Sequence, residues 1–257
     1  MASVIRKKLR QTTLTGHITR TVKRTKKAIK ETTKTKNGKQ YIQSTIRGET
    51  IYDEDSRHFG DEARIKDEDA FRFGGQNAAM LPVDRRHTKS RRFVSTIREY
   101  DFDGFCTQEV GLDWDELDAR DQWHHRTDNV LQEQSIFAHN THEKGENGIQ
   151  YGGTGVIVTD DLRFSIKERG RDNSGLGRWC WIKFQRKEWV TRLVSVYRPC
   201  DGKGDGSVAS QHRRYFYSRD LVRNPRQAIL EDLGEELDKW VEAGENVLVI
   251  MDAKCLT

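Results

Sequence analysis

Short apolar segments that end in a polar residue recur along the last two thirds of the chain. The segments "AFRFGGQN", "FDGFCTQE", "YGGTGVIV" and "ENVLVIMD" predict strands by their length and their flanking turn residues. "GRWCWIKFQ" and "VTRLVSVYRP" are joined by "RKEW" and predict a hairpin, and "QSIFAHN" predicts one more short strand.

Two segments between these strands have helical spacing. In "TKSRRFVSTIREYD", Phe93 and Ile97 fall on one side. "NPRQAILEDLGEELDKWVEAGEN" carries an apolar stripe, with Asn224 as a cap, Pro225 at the first position and Gly244 at the end. Strands joined by hairpins and by helices predict an α+β or layered fold with polar residues at strand ends, where sites are commonly assembled.

Charge divides the chain into three regions. Residues 1–48 contain fourteen Lys and Arg and one acid, Glu31, which gives a net charge of +13; the rest of this +5 chain carries −8. The first region lacks apolar periodicity and predicts a disordered basic arm, which either contacts nucleic-acid phosphates or has no specific role. Residues 49–69 predict an acidic linker, and residues 70–257 the folded domain.

The cysteines favour a reduced, intracellular protein, because they are widely spaced and form no CxxC pair. They are Cys106, Cys180, Cys200 and Cys255. No apolar stretch approaches the roughly 20 residues that cross a bilayer, and no secretory signal opens the chain, so no membrane partner is expected. "KRTKK" can serve as a nuclear address, a pattern that also arises by chance.

Several further motifs predict structure more strongly than chemistry. "HNTHEK" offers His139, His142 and Glu143, but its spacing is not HExxH and does not predict a zinc site. "YGGTG" lacks the spacing of a nucleotide-binding loop and predicts a turn. The tryptophans around the hairpin predict core packing in preference to base stacking.

Four polar residues end apolar strands and together predict a functional site. They are Asn77, Glu109, Tyr197 and Asp252. A hard cation such as Mg²⁺ binds carboxylate oxygens and retains waters. Cleavage of a phosphodiester needs charge neutralisation, a positioned water and a base that orients it. A carboxamide can orient a carboxylate, and a phenol can donate to a phosphoryl oxygen.

Five motifs in order, "QNAAMLP", "DFDGFCTQEVGLDW", "YGGTGVIV", "RLVSVYRP" and "ENVLVIMDA", resemble the endonuclease/exonuclease/phosphatase superfamily. The resemblance runs from about Ala70 to Ala253, and it is similar more narrowly to retroelement-type endonuclease domains. It implies a four-layer α/β/β/α sandwich (DNase I-like) and cleavage of phosphate esters with Mg²⁺ or Mn²⁺. It also implies DNA as the partner.

The resemblance assigns one role to each strand-end residue. Glu109 matches the metal-binding glutamate, and Asn77 matches the asparagine that orients groups near the metal. Tyr197 matches the tyrosine that contacts the scissile phosphate. Asp252 matches the aspartate that activates or orients the attacking water.

The sequence departs from the family pattern near its end. Met251 stands where the family has glycine, and Lys254 stands where it has asparagine. The later catalytic motifs of the family fall beyond Thr257, so we expect a domain that is incomplete at its C-terminus. Two alternatives remain open: an inactive remnant that binds nucleic acid through its basic arm, and an enzyme that acts on a small phosphate ester or lipid.

Overall fold

The computed structural model describes two separate parts of the chain. It describes residues 31–36, 39–46, 49–54, 66, 70–83, 86–127, 131–187, 189–202 and 204–253. The first 30 residues of the predicted basic arm, most of the predicted linker after Glu54, and both Lys254 and Cys255 lie outside the described residues.

The first part is a three-stranded antiparallel sheet within residues 14–64. Its strands, in the order in which they pair, are β1 (Glu31–Lys36), β2 (Lys39–Ile46) and β3 (Glu49–Glu54). This regular structure differs from the disordered arm and linker that the charge pattern predicts here. Alternating threonines in "ETTKTK" favour extended backbone, and Asn-Gly between β1 and β2 is a strong hairpin signal.

The second part, from residue 65 onward, contains eight strands and four α-helices among its described residues. The strands are β4 (Phe73–Asn77), β5 (Gly104–Gln108), β6 (Glu133–Ala138), β7 (Thr154–Thr159), β8 (Ile166–Arg171), β9 (Trp179–Arg186), β10 (Trp189–Arg198) and β11 (Asn246–Ala253). The helices are α1 (Thr88–Glu99), α2 (Trp123–Arg126), α3 (Val208–Tyr217) and α4 (Pro225–Glu242). Short 3₁₀ turns lie at Trp114–Glu116, Ala119–Asp121 and Asp160–Ser165.

The eight strands form two four-stranded mixed sheets. The first has the order β4-β5-β7-β6 and the second the order β11-β10-β9-β8. Two pairs, β4 with β5 and β10 with β11, are parallel, and the other neighbours are antiparallel. The carboxyl ends of each parallel pair therefore lie at the same edge of their sheet.

Alternating side chains of the strands build the layers. Phe93 of α1 meets Phe105 of β5 edge to face, with ring centroids 5.2 Å apart. Cys106, the next residue, packs with Leu193 of β10 between the two sheets. On the far side of the second sheet, Ile229 of α4 lies in a cluster with residues of β10 and β11. The layers run α/β/β/α, which confirms the α+β fold and agrees with the sandwich that the resemblance implies.

The clearest sequence signals correspond to observed elements. Asn224 accepts hydrogen bonds from the backbone N–H groups of Arg226 and Gln227 at the start of α4, and Gly244 follows the helix with a φ of +79°. The β9–β10 hairpin is antiparallel, as predicted. Within the part of the chain that the structure describes, no helix has the length and apolar character needed to span a bilayer.

In the second part of the chain, β8 and α3 were not predicted. β8 has the sequence "IKERGR" and occupies a sheet edge where most of its side chains are exposed, so it lacks an apolar signal. α3 has the sequence "VASQHRRYFY" and buries Gln211 and His212 as well as Ala209 and Phe216. Because α3 buries polar as well as apolar side chains, it lacks the amphipathic pattern by which helices are predicted.

Candidate functional site

The strand-end residues face the space between the sheets because of the two-residue period of each strand. The positions that face this space are Phe73, Gly75 and Asn77 in β4, Leu193, Ser195 and Tyr197 in β10, and Leu248, Ile250 and Asp252 in β11. Strand pairing also places Asn77 opposite Gln108 and Tyr197 opposite Asp252. The apolar members of each series form the core between the sheets, together with the buried Ser195. The remaining polar members, Asn77, Tyr197 and Asp252, lie at its rim.

Asn77 and Asp252 connect the two sheets at this rim. The Asn77 Nδ2 donates a hydrogen bond of 2.6 Å to Oδ2 of Asp252. The Asn77 Oδ1 accepts one of 2.7 Å from the backbone N–H of Ala79. An N–H can bond only to the amide oxygen, so this second contact fixes which end of the amide faces the carboxylate. Asp252 is half-buried and is held in one orientation.

Tyr197 and Glu109 form the second connection. The Tyr197 hydroxyl donates to Oε1 of Glu109 over 3.0 Å, and Tyr197 is only 5 % exposed. Burial raises the pKa of the Tyr197 phenol far above its usual value, and the neighbouring Glu109 carboxylate raises this pKa further. The phenol therefore keeps its proton at any pH at which the fold survives, and it acts as a hydrogen-bond donor.

The backbone at Glu109 is held in an uncommon conformation. Its φ is +51°, in the left-handed region, which for a non-glycine residue is of the order of 1–3 kcal/mol less favourable. Its carbonyl accepts a 2.7 Å hydrogen bond from the N–H of Met80, whose φ is also positive at +69°. These contacts hold the loop after β4 against the end of β5 and fix the position of the Glu109 side chain.

Gln108 and Ser195 lie directly beneath the two connections and were missed in the sequence. Gln108 Nε2 donates to Ser195 Oγ at 3.1 Å and to the carbonyl oxygen of Ile250 at 3.2 Å. Ser195 Oγ donates to the carbonyl of Thr107 at 3.0 Å. Gln108 is 2 % exposed and Ser195 is fully buried. The signal was present: both are polar residues inside apolar strands and must find partners there.

One cation approaches the site from α1. Lys89 Nζ donates to the carbonyl of Ala79 at 2.7 Å, which places its charge beside the loop that holds Asn77. Burial lowers the pKa of this amine. No sequence pattern distinguishes Lys89 from the other lysines of the chain, because its position depends on how α1 returns to the edge of the sheet.

The "HNTHEK" residues do not converge. His139 Nε2 contacts Asp115 and Asp113. His142 Nε2 lies 2.6 Å from the carbonyl of Ser174, and Glu143 pairs with Arg214. The three side chains therefore have different partners and do not form one group of ligands.

Two further sequence predictions agree with the structure. "YGGTG" is a turn in which Gly152 has a φ of +95°, and a Cβ on Gly152 would lie 3.7 Å from Cε1 of Tyr197. Trp179 is buried in the core beneath α4, and Trp181 packs edge to face on Trp240 at 5.8 Å. Core packing therefore accounts for these two tryptophans.

The structure is thus an α/β/β/α sandwich with carboxylates, an amide and a phenol at one edge of its facing sheets. No family model matches the sequence, and no curated protein matches it. Solved structures that resemble it include an AP endonuclease from Archaeoglobus fulgidus (14 % identity, 67 % of this chain and 55 % of that one, TM-score 0.40).

Two further similar structures carry related names. One is an endonuclease/exonuclease/phosphatase family protein from Leptotrichia buccalis, with 12 % identity over 60 % of this chain and 64 % of that one and a TM-score of 0.37. The other is the endonuclease domain of TRAS1, a telomere-specific non-LTR retrotransposon, with 12 % identity over 65 % and 70 % and a TM-score of 0.32. The match thus spans less than two thirds of the first two proteins.

Proposed function

We propose that this chain is a Mg²⁺-dependent phosphodiester hydrolase, an endonuclease-like domain of the endonuclease/exonuclease/phosphatase superfamily that acts on DNA and derives from a retroelement. One observation carries the proposal. Two pairs, Asn77 with Asp252 and Tyr197 with Glu109, each join one sheet to the other at the same edge. The ordered motifs that contain these residues support it.

The side chains at this edge fit a hard divalent cation. Glu109 and Asp252 offer carboxylate oxygens, the donor type that Mg²⁺ and Mn²⁺ prefer, and both are half-buried, so that water can complete the coordination. We assign Glu109 as the metal ligand, with Asn77 in support. When bound, the cation neutralises charge that develops on the phosphoryl oxygens.

Asp252 and Asn77 act on the attacking water in this scheme. The Asp252 carboxylate accepts a hydrogen bond from the water, which aims a lone pair of the water at phosphorus. It takes the proton as the bond from the water oxygen to phosphorus forms and the bond from phosphorus to the leaving oxygen breaks, and the leaving alkoxide takes a proton from solvent. Asn77 donates to Oδ2 of Asp252 and so holds the carboxylate in place.

Tyr197 acts on the phosphate. Its hydroxyl is protonated and points toward the rim, where it donates to Glu109. With a phosphodiester bound, the same hydrogen can be donated to a non-bridging oxygen, where negative charge increases in the transition state. A preorganised donor of this kind stabilises the transition state more than the ground state.

The charge distribution supports a polyanionic substrate over a small phosphate ester or a lipid. Residues 1–48 carry a net charge of +13, whereas the rest of the chain carries −8. A long polyanion gains most from such a segment, because each neutralised phosphate releases condensed counterions. Lys89, beside the loop that holds Asn77, adds a cation at the site itself.

A second candidate is an inactive remnant that binds nucleic acid without cleaving it. One sequence observation favours it: Lys254 replaces the asparagine that the family motif carries two residues after its aspartate. A lysine can attract a phosphate, but it cannot accept the hydrogen bonds that a carboxamide accepts.

Plasmid nicking separates these candidates. The full chain is incubated with supercoiled plasmid in Mg²⁺ or in EDTA, alongside Asp252→Asn and the control Asp161→Asn. Asp161 is exposed and follows β7 at the opposite end of the sheet. We expect nicking with Mg²⁺ only, loss of nicking in Asp252→Asn and wild-type nicking in the control. Nicking that survives Asp252→Asn contradicts the mechanism, and DNA binding without nicking supports the remnant.

The basic arm is tested by deleting residues 1–30, which removes ten of its fourteen cations and spares β1 to β3. DNA affinity is measured over a range of salt concentrations. We expect weaker binding and a shallower dependence of log K on log salt, because fewer counterions are released. An unchanged slope shows that the arm does not contact DNA.

A further inference from the structure

A second group of possible metal ligands lies at the same edge of the first sheet, away from the pairs described above. His139 follows the last residue of β6, and β7 separates β6 from β5. Asp113 and Asp115 lie at the 3₁₀ turn that begins just after the loop following β5. The group therefore joins the loop beyond Glu109 to the end of the opposite edge strand.

The ligand atoms of these three residues have the spacing of a coordination sphere. His139 Nε2 lies 3.1 Å from Oδ2 of Asp115 and 3.5 Å from Oδ1 of Asp113, and one atom from each residue lies within 4.8 Å of the others. Ligands bound at about 2.0–2.2 Å to one ion are roughly 3.0–3.5 Å from their neighbours. We propose that Asp113, Asp115 and His139 bind one divalent transition-metal ion.

The position of the His139 ring supports a metal site independently of the two clustered carboxylates. His139 is 6 % exposed, and its Nε2 faces two carboxylate oxygens at once. A neutral ring can donate only one hydrogen from that nitrogen, so one of the two contacts is not a full hydrogen bond. An ion bound at Nε2 contacts both carboxylates, and in this way it satisfies the geometry that the fold imposes.

The surroundings hold two of the ligands in advance. Asp113 Oδ2 accepts a 2.6 Å hydrogen bond from the backbone N–H of Gly145, and its Oδ1 accepts one of 3.1 Å from that of Asp115. A Cβ on Gly177 would lie 2.5 Å from the carbonyl carbon of His139, so the backbone there is tightly enclosed. Outer contacts of this kind orient metal ligands and raise affinity.

Access and metal preference follow from the exposure and the chemistry of the ligands. Asp113 is 3 % exposed, whereas the Asp115 side chain is 76 % exposed, so an ion can enter on that side and keep water there. One imidazole with two carboxylates suits Zn²⁺, Mn²⁺ or Co²⁺ better than Mg²⁺, which prefers oxygen ligands alone. The bound ion would hold the loop after β5 to the end of β6.

Metal binding can be measured without reference to hydrolysis. The chelator-treated full chain carrying Glu109→Gln, which weakens the proposed Mg²⁺ site, is titrated with Zn²⁺ by calorimetry and with Co²⁺ by visible absorption. We expect one ion per chain and a Zn²⁺-dependent rise in Tm. Asp115→Asn and His139→Ala should each lower the affinity by more than about tenfold.

His142→Ala is the matched control, because His142 lies three residues away and contacts the carbonyl of Ser174 instead of the cluster. Its Zn²⁺ affinity should equal that of the Glu109→Gln parent. Asp115 is exposed, so Asp115→Asn retains the fold even if His139→Ala does not. The proposal is overturned if the parent binds no Zn²⁺ or Co²⁺, or if Asp115→Asn leaves the affinity unchanged. The proposed hydrolase is tested separately, by Mg²⁺-dependent nicking with a chain that carries Asp115→Asn and no other substitution.

Discussion

Replacement of Tyr197 by phenylalanine separates a role in phosphate chemistry from a role in folding. The phenol is 5 % exposed and donates one hydrogen bond of 3.0 Å to Glu109. Hydrogen bonds to charged groups contribute about 1.5–3 kcal/mol, but removal of a buried hydroxyl also removes its desolvation cost of about 1–3 kcal/mol. Glu109 is half-buried and can rehydrate, so we expect the free energy of unfolding to change by no more than about 1 kcal/mol.

The effect on cleavage should be far larger. A preorganised donor to a developing oxyanion contributes about 10²–10³-fold to kcat, which corresponds to about 2.7–4 kcal/mol. The rate of single-turnover nicking at saturating Mg²⁺ and the urea midpoint are measured on the same preparation. Tyr151→Phe is the control, because Tyr151 begins the glycine turn beside Tyr197 and its side chain is 54 % exposed. Both its nicking rate and its urea midpoint should equal those of the wild type.

Two results would refute this reasoning. If Tyr197→Phe nicks DNA within about threefold of the wild-type rate, the phenol does not stabilise the transition state, since about threefold corresponds to less than 1 kcal/mol. If the nicking rate and the urea midpoint fall together, Tyr197 supports the fold and its effect on the rate is indirect.

Three further predictions concern stability. Burial first, and the charge of Arg178 second, lower the pKa of His212 from 6.5 to about 4, so the folded state keeps the ring neutral. The unfolded chain binds this proton at a higher pH than the folded chain does. The stability that depends on the neutral ring is therefore complete above pH 6.5, and about 3 kcal/mol of the free energy of unfolding is lost as the pH falls toward 4. Urea midpoints measured against pH should show less of this loss in His212→Leu. The Arg178 guanidinium lies 2.5 and 2.9 Å from the two oxygens of the buried Asp172 carboxylate. Arg178→Met leaves this carboxylate without its cation, and thermal unfolding should show a loss of about 3–5 kcal/mol in the free energy of unfolding. Gly75→Ala places a Cβ 2.5 Å from Cγ2 of Ile250 on the facing sheet. Urea unfolding should show a loss of about 1–3 kcal/mol in the free energy of unfolding. An unchanged midpoint would mean that the two sheets can move apart at no cost.

The sequence predicted those elements whose physical signal is local. α4 was predicted with both ends, because Asn224, Pro225 and Gly244 are cap and termination residues next to an apolar stripe. β8 and α3 were not predicted, since neither has a continuous apolar face. The three strands within residues 31–54 were missed because charge composition was given more weight than alternating threonines and an Asn-Gly turn.

The strand-end residues of the candidate site were predicted from the sequence, whereas the contacts between them were not. The four strand-end residues were predicted as a set because each follows an apolar run. Their pairing depends on how two sheets face each other, which no local pattern specifies. For the same reason Asp113 and Asp115 were not connected with His139: more than twenty residues separate them in sequence, and only the ends of β5 and β6 bring them together.

Each pair at the candidate site takes one residue from each sheet, so the geometry of the site is a property of the interface between the sheets. β4 contributes Asn77 and β11 contributes Asp252, and a shift of one strand by one residue would turn the side chain away from its partner. Gln108 of β5 opposes such a shift of β11, because its amide bonds to Ser195 of β10 and to the carbonyl of Ile250 in β11 at once. An apolar core alone would tolerate small displacements between the sheets, whereas these directional bonds do not. The buried polar residues thus explain how an interface formed mostly by apolar side chains can hold polar groups at hydrogen-bonding distance along its rim.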